Sequence, residues 1–430
     1  MEINENLPKN WTIKKMPDVV TWGSGGTPKA TESNYYENGT IPWLIIGDLN
    51  DGVVTKSQTK ITELGLNNSS AKMVRQGTLL IAMYGSIGKL GITGIDCCTN
   101  QAIAFAKELH GVSTKYMFYY LKMIRPKLIS MGKGGTQKNI SQSVLKSLDV
   151  IVPPMDIQDK IVTRIEELFS ELDKGAETLQ TIKQQLAVYR QAVLKEAFEG
   201  KWTYSQRTSL PQNLHFKELK NAESSKLSPI PSQWKYVYLS ELGDLSRGKS
   251  KHRPRNDERL FENGKYPFFQ TGDVKSANKI LIDCEKKYGE FGLAQSKLWP
   301  AGTLCITIAA NIAETCFLGV DGCFPDSIVG FTPFDNIVDK EYIRYFIESS
   351  KKRLWAFAPA TAQKNINLTT LENLIIPYCN IDEQKYVVQE IESRLSVCDS
   401  IEQTVDTALS QAEAMRQSIL KKAFEGGFSE

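Results

Sequence analysis

Arg190-Gln191-Ala192-Val193-Leu194-Lys195-Glu196-Ala197-Phe198-Glu199-Gly200 recurs as Arg416-Gln417-Ser418-Ile419-Leu420-Lys421-Lys422-Ala423-Phe424-Glu425-Gly426, identical at eight of eleven positions and offset by 226. Working outward, Gln137-Lys138-Asn139-Ile140 returns as Gln363-Lys364-Asn365-Ile366 at the same offset. Gly47-Asp48 returns as Gly272-Asp273, and Gly77-Thr78-Leu79 as Gly302-Thr303-Leu304, both 225 residues on. Pro8 and Trp11 precede Pro231 and Trp234 by 223. Chance matches would not hold one offset within three residues over a whole unit, so the chain is a tandem duplication.

The quoted stretch ends a long periodic segment. After Pro153-Pro154, Ile161, Ile165, Leu168, Leu172, Gly175, Leu179, Ile182, Leu186, Tyr189 and Val193 alternate at four and three, a heptad seam. Val387, Ile391, Cys398, Ile401, Val405, Ala412, Met415 and Ile419 repeat it, with Arg394 and Ala408 as weak links. Asp156 and Asp382 read as N-caps, Gly200 and Gly426 as stops. A helix over 155–198 spans about 65 Å, too long to leave one apolar stripe in water. The other copy is its natural partner, and two-fold-related copies pack antiparallel. The polar linker, 201–229, could cover about 95 Å if extended.

Upstream, short apolar runs (Ile41 to Ile46, Thr78 to Met83, Val150 to Val152) alternate with Gly, Asn and Asp and predict strands; 113–130 predicts a helical stretch. The expected fold is mixed α+β: two pseudo-two-fold-related globular domains, 1–153 and 230–378, joined by two long antiparallel coiled-coil helices, 154–200 and 379–427. The linker 201–229 lies between the copies.

Composition narrows the function. Hydrophobic residues make up 41% and charged residues 23% of the 430, with a net charge of +3, as in folded proteins of ordinary surface. No apolar run reaches the ~18 residues of a membrane helix, and the first residues have no apolar signal core. The eight cysteines form no C-x-x-C and sit in apolar runs, which predicts reduced core thiols and a cytoplasmic protein. The three histidines are unpaired, so no metal site is expected. Gly243-Asp244-Leu245-Ser246-Arg247-Gly248-Lys249-Ser250 fits the phosphate-loop pattern, but Lys251-His252-Arg253-Pro254 is a poor helix start, and the first copy lacks the lysine. No dinucleotide fingerprint, nucleophile elbow or acid–base pair is visible, so no catalytic residue is expected. What remains is basic and aromatic. Lys122, Arg125, Lys127, Lys133 and Lys138 follow Tyr116, Phe118, Tyr119 and Tyr120; Lys351, Lys352, Arg353 and Lys364 surround Tyr342, Tyr345, Phe346, Trp355 and Phe357; Arg247, Lys249, Lys251, His252, Arg253 and Arg255 follow Trp234. Such clusters suit phosphate contact, while solvated helix faces and core aromatics are the plain alternative.

Two globular domains, each followed by a helix with the Arg190–Gly200 and Arg416–Gly426 endings, resemble the specificity subunit of type I restriction–modification enzymes. The openings Leu7-Pro8-Lys9-Asn10-Trp11 and Ile230-Pro231-Ser232-Gln233-Trp234 fit, as do Tyr84-Gly85-Ser86-Ile87-Gly88-Lys89, Ile157-Gln158 and Asp382-Glu383-Gln384. Ala309-Ala310-Asn311-Ile312-Ala313-Glu314 departs from the glycine-rich form of the loop. The resemblance implies that each domain, as a target-recognition domain, reads one half of a split double-stranded DNA site and that the helices set the spacing. It also implies that the helices dock two modification subunits, through Arg190, Gln191, Phe198, Arg416, Gln417 and Phe424, and that two restriction subunits complete the assembly. S-adenosylmethionine, ATP and Mg would then sit on those partners and none on this non-catalytic chain. The expected DNA contacts are Lys133, Lys138, Lys364, Arg247, Lys249 and Arg253, with Gln137 and Gln363 as polar neighbours. A coiled-coil adaptor that never touches DNA and a P-loop nucleotidase are the rival readings.

Overall fold

The first strand of each copy pairs with the last strand before the long helix, so each domain is tied shut at the helix entry. Thr12–Lys15 runs antiparallel to Asp149–Val152, and Lys235–Tyr238 antiparallel to Ile375–Tyr378. These pairs come from a computed structural model, which describes residues 7–134, 138–211, 214–219, 227–356 and 365–428. The chain divides into two units, residues 1–180 with 405–430, and residues 181–404. Each unit therefore holds one globular domain, the opening of the helix that follows it, and the closing turns of the other long helix.

In the first unit a five-stranded sheet runs in the order Val20–Ser24, Ile103–Leu109, Leu79–Ala82, Leu90–Thr93, Val53–Val54. In the second the order is Gly243–Arg247, Ile328–Pro333, Leu304–Thr307, Thr315–Leu318, Ile280–Leu281. Both sheets end on a short parallel strand. A helix lies behind each sheet, Thr114–Met123 or Lys340–Ala356. Its aromatics form core: Tyr116 and Tyr342 are buried and donate their hydroxyls to Ile151 O (2.7 Å) and Pro377 O (2.8 Å). The predicted strands and helical stretch stand where the apolar runs put them. The copies differ in a smaller layer. The first unit has a four-stranded sheet there (Thr59–Ile61, Ile41–Leu44, Cys97–Thr99, Met73–Val74). The second keeps one of these pairings as a two-stranded sheet, Tyr266–Pro267 with Lys287–Tyr288, and two as single bridges, Phe268 to Cys323 and Trp299 to Gly322.

The long helices run Met155–Phe198 and Ile381–Phe424. In the first unit Ile161, Ile165 and Phe169 share a core with Leu420, Ala423 and Phe424. In the second, Leu194, Ala197 and Phe198 share one with Val387 and Ile391. An opening turn beside a closing turn makes the pairing antiparallel within each unit. Arg416 reaches Asp173 in the first unit, and Arg190 reaches Asp399 (2.6 Å) and Glu402 (3.1 Å) in the second. Asp173 and Asp399 are themselves 226 apart, so the duplication carries the ion pair with it.

Three expectations are corrected. The heptad seam drifts: Gly175 and Tyr189 are exposed while Ala176 and Arg190 turn inward, and Ile401 and Met415 are exposed while Glu402 and Arg416 turn inward. A straight helix slips about 20° per heptad against a 3.5 repeat, which moves the stripe one residue along after two or three heptads. The caps also move. Pro154 O accepts from Ile157 N and Gln158 N, and Asn380 Oδ1 accepts from Asp382 N (3.0 Å). Asp156 and Asp382 lie in the first turns, where negative charge meets the helix dipole favourably. Finally, the linker is bound where it is described. Trp202 lies under the Arg394 guanidinium (4.0 Å), and Phe216 meets Tyr378 edge to face (4.9 Å). Lys217 N donates to Glu241 (2.7 Å), so this segment is a strap on the second unit. The stops behave as read: Lys201 N donates to Glu196 O and Gly427 N to Lys422 O, with Gly200 and Gly426 at positive φ.

Seven of the eight cysteines are buried and all are free. Burial pushes the Cys97 and Cys98 thiols up to about 12 and about 11, which suits unreactive core thiols. Among the described residues no helix is long and apolar enough to cross a membrane.

Candidate nucleic-acid interface

In the first unit the turn Tyr84–Lys89 joins two central strands. Gly88 N donates to Ala82 O (3.0 Å) and Lys89 N to Ser86 O (3.1 Å), while Ile87 is buried as the anchor. Gly85 and Gly88 hold φ of 64° and 76°, a region that costs other L-residues about 1–2 kcal/mol. The tip leaves Tyr84 (41% exposed), Gly85 and Ser86 facing solvent. The segment after the helices folds against this tip. Lys133 and Asn139 exchange backbone hydrogen bonds (2.9 and 2.8 Å), Gly85 N donates to Lys138 O (3.2 Å), and Ile140 N to Met83 O (2.9 Å). Lys133 and Lys138, predicted from a cluster, thus stand exposed beside Tyr84 with no carboxylate partner among the described residues. Gln137 lies outside the described residues. The rest of that cluster does other work. Lys122 lies over the Phe118 and Phe169 rings (5.8 and 5.6 Å), and Arg125 grips Asp51 with both nitrogens (2.9 and 2.5 Å). Burial alone would raise the Asp51 carboxyl; the Arg125 guanidinium, the Leu90 N–H and the Lys122 charge together more than offset it and hold the pKa below its ordinary value.

The second unit keeps this frame with different side chains. Ile366 N donates to Ile308 O (2.9 Å), and Ala309 bridges Asn365. Ala310 and Ala313 occupy φ of 63° and 61°, the conformations of Gly85 and Gly88. The departure seen in the sequence is therefore one of side chains and not of backbone. Glu314 stands where the first copy has Lys89, and it binds Lys351 (2.5 Å). Gln363 and Lys364 lie outside the described residues.

A second basic surface in this unit follows Gly243–Arg247. Lys249 N donates to Phe324 O (2.9 Å), Lys251 N to Gln295 O (3.2 Å), and Ser296 Oγ to Lys249 O (2.7 Å). These bonds bring Lys297 alongside, its ammonium 3.6 Å from the Trp299 ring centroid and 3.2 Å from Ser246 Oγ. Arg253 Nη1 donates to Ser250 O and His252 O (2.7 and 2.8 Å), which orients the guanidinium on its own turn. Arg255 pairs with Asp326 (3.1 Å), while His252 and Arg259 both bind Asp257 (2.8 and 2.7 Å). Those two hydrogen bonds, Arg259's the larger effect, hold the Asp257 carboxyl well below the usual range. Exposed charge without a carboxylate partner among the described residues narrows in this surface to Arg247, Lys249, Lys251, Arg253 and Lys297. Sequence reasoning missed Lys297, whose only signal is a lysine two residues before a tryptophan. The phosphate-loop match fails on its surroundings. Gly243–Arg247 lies antiparallel to Ile328–Pro333, and no helix opens at Lys249. Gly248 is there because the Phe324 and Pro325 carbonyls lie 2.2 and 2.4 Å from where a Cβ would stand.

The residues expected to dock partners divide. Phe424 is fully buried, edge to face with Tyr116 (5.1 Å) and Tyr120 (5.3 Å); Phe198 is buried against Tyr342 and Phe346 (both 5.0 Å). Phe424 is enclosed on all sides, while Phe198 lines a surface pocket with Gln191 and Lys195. Arg190 and Arg416 are engaged by aspartates within the chain, which leaves Gln191 and Gln417 exposed beside Tyr189 (48%) and Met415 (52%).

Known proteins share this design. The specificity subunit of the type I restriction enzyme EcoKI from Escherichia coli K12 is 22% identical over 98% of this chain and 89% of its own. The fold matches a chain of a structure on complex assembly and conformational transition of the type I R-M system. The TM-score is 0.73 at 16% identity, covering 98% of this chain and 99% of that one. The HsdS subunit from Thermoanaerobacter tengcongensis matches with a TM-score of 0.57 at 16% identity, over 98% of both chains. Residues 8–184 and 231–411 each match the type I restriction modification DNA specificity domain. With both copies covered, the chain belongs to the family of type I restriction–modification specificity subunits.

Proposed function

We propose that this chain reads a bipartite double-stranded DNA site for a type I restriction–modification assembly, one half-site per globular domain. The observation that carries the reading is the pair of equivalent turns, Tyr84–Lys89 and Ala309–Glu314, with one backbone and two unlike surfaces. A duplicated frame is what two readers share; different side chains are what two different half-sites require. Lys133, Lys138 and Tyr84 serve the first domain; Arg247, Lys249, Lys251 and Lys297 serve the second, with Arg253 shaping its turn. Gln137, Gln363 and Lys364 belong to the same segments by sequence. The cations hold phosphates and fix register, and base edges are read by the polar loop residues between them.

The helices set the spacing and carry two modification subunits, through Tyr189 and Gln191 in one unit and Met415 and Gln417 in the other. Two restriction subunits complete the assembly. In this reading the chain supplies no catalytic group; S-adenosylmethionine, ATP and Mg act on the partner subunits. Replacing residues 8–150 with the matching domain of a relative changes one half of the methylated sequence and leaves the other half and the spacing intact. Methylation mapping that finds both halves altered would falsify the assignment of one reader per domain.

A further inference from the structure

Each recognition domain is fastened to its own helix by a buried glutamine. Gln158, 0% exposed, accepts from Ser113 N (2.9 Å) and donates to Gly111 O and Pro153 O (both 2.9 Å). Gln384, also 0% exposed, accepts from Asp339 N (2.9 Å) and donates to Cys379 O (2.8 Å) and Ile337 O (3.4 Å). In both units one amide joins the turn before the buried domain helix to the residue leading into the long helix. The bonds to Pro153 O and Cys379 O lie in the core, where water does not replace a lost partner.

A second tie lies two turns further along. Glu166 binds Lys115 (2.9 Å) and accepts from Tyr119 OH (3.4 Å). Glu392, its equivalent 226 residues on, binds Lys279 (3.0 Å), which also holds Glu341 (2.8 Å). Glu341 stands at the position of Lys115. The charge there is inverted, yet a lysine from the sheet edge restores the tie. A contact rebuilt from a different part of the domain points to the joint itself as what is maintained.

We infer that Gln158 and Gln384, backed by Glu166 and Glu392, are positioning residues that fix each domain's angle on its helix and so govern how strictly half-site spacing is read. The inference rests on the two-reader function proposed above. One base pair moves a half-site by about 3.4 Å and turns it by about 34°. A stiff joint rejects that displacement, whereas a loose joint follows it without touching any base contact.

The test uses the full chain assembled with its modification subunits and measures methyl transfer to duplexes carrying the native site or the site with its spacer changed by one base pair. Gln158→Met and Gln384→Met keep the side-chain volume and remove the hydrogen bonds. Each is expected to raise the altered-to-native rate ratio by about tenfold, equivalent to about 1.4 kcal/mol, with the penalty for a wrong half-site base unchanged. Glu392→Gln, at a partly exposed position that leaves the core intact, raises the ratio less. An unchanged ratio in the glutamine variants overturns the proposal. If those variants do not fold, an unchanged ratio in Glu392→Gln overturns it. Equal loss of half-site and spacing discrimination also overturns it. A parent assembly that methylates no bipartite site removes the two-reader function and this inference together.

Discussion

The Tyr84–Lys89 and Ala309–Glu314 turns have the same backbone and almost nothing else in common. One spends two glycines on its left-handed positions, and the other forces two alanines into them. One ends on Lys89, the other on Glu314 bound to Lys351. The helix endings behave oppositely: eight of eleven residues are identical, and Phe198 and Phe424 meet equivalent aromatic faces. Side chains that close the frame are held in common, and side chains at the loop tips are free to differ.

The largest expected effect tests the common part. Phe424→Ala should destabilise the first unit, and Phe198→Ala the second, each by about 3–5 kcal/mol for a buried phenylalanine. Hydrogen exchange around Tyr116 and around Tyr342 locates the loss; exchange rising equally in both units from either substitution would break the comparison. A smaller effect tests the part that differs. Lys133→Ala with Lys138→Ala, or Arg247→Ala with Lys249→Ala, should lower the slope of log affinity against log salt by about 2, near 0.9 per phosphate contact. Binding should weaken alike for cognate and unrelated duplexes. Unaltered slopes would remove those four residues from the interface.

The smallest effect probes the turns directly. Ala310→Gly and Ala313→Gly should each stabilise the second unit by about 0.5–1 kcal/mol, because glycine occupies positive φ without penalty. The reverse changes are unequal: a Cβ at Gly85 meets nothing within 4 Å, while one at Gly88 comes within 3.0 Å of Arg125 Cγ. Gly88→Ala should therefore cost more than Gly85→Ala in thermal unfolding, since it also disturbs the Arg125–Asp51 pair.

The sequence carried the duplication, the helices and the strands because periodicity and offset are properties of the chain alone. The burial of Phe198 and Phe424 was not legible, because identity between copies records a shared constraint without saying whether it is internal or external. Tyr189 and Met415 were misread as seam residues because a heptad count hides the drift of a real helix. Lys297 was invisible for another reason: it meets Ser246 across 51 residues of chain, a neighbourhood only the fold creates. The carbonyls that orient Arg253 were hidden for the same reason, since a sequence does not show where a turn aims them.

The first globular domain shares its core with Leu420, Ala423 and Phe424. On the ribosome these residues emerge after the whole second unit, so the domain made first is completed after the one that follows it. Its Tyr116 and Tyr120 face stays bare through synthesis of more than two hundred further residues, whereas the second unit, continuous from 181 to 404, has all its pieces once residue 404 is made. The amino-terminal half is thus the one exposed to chaperones and proteases during translation, and truncation near the carboxyl terminus would damage the opposite end of the sequence.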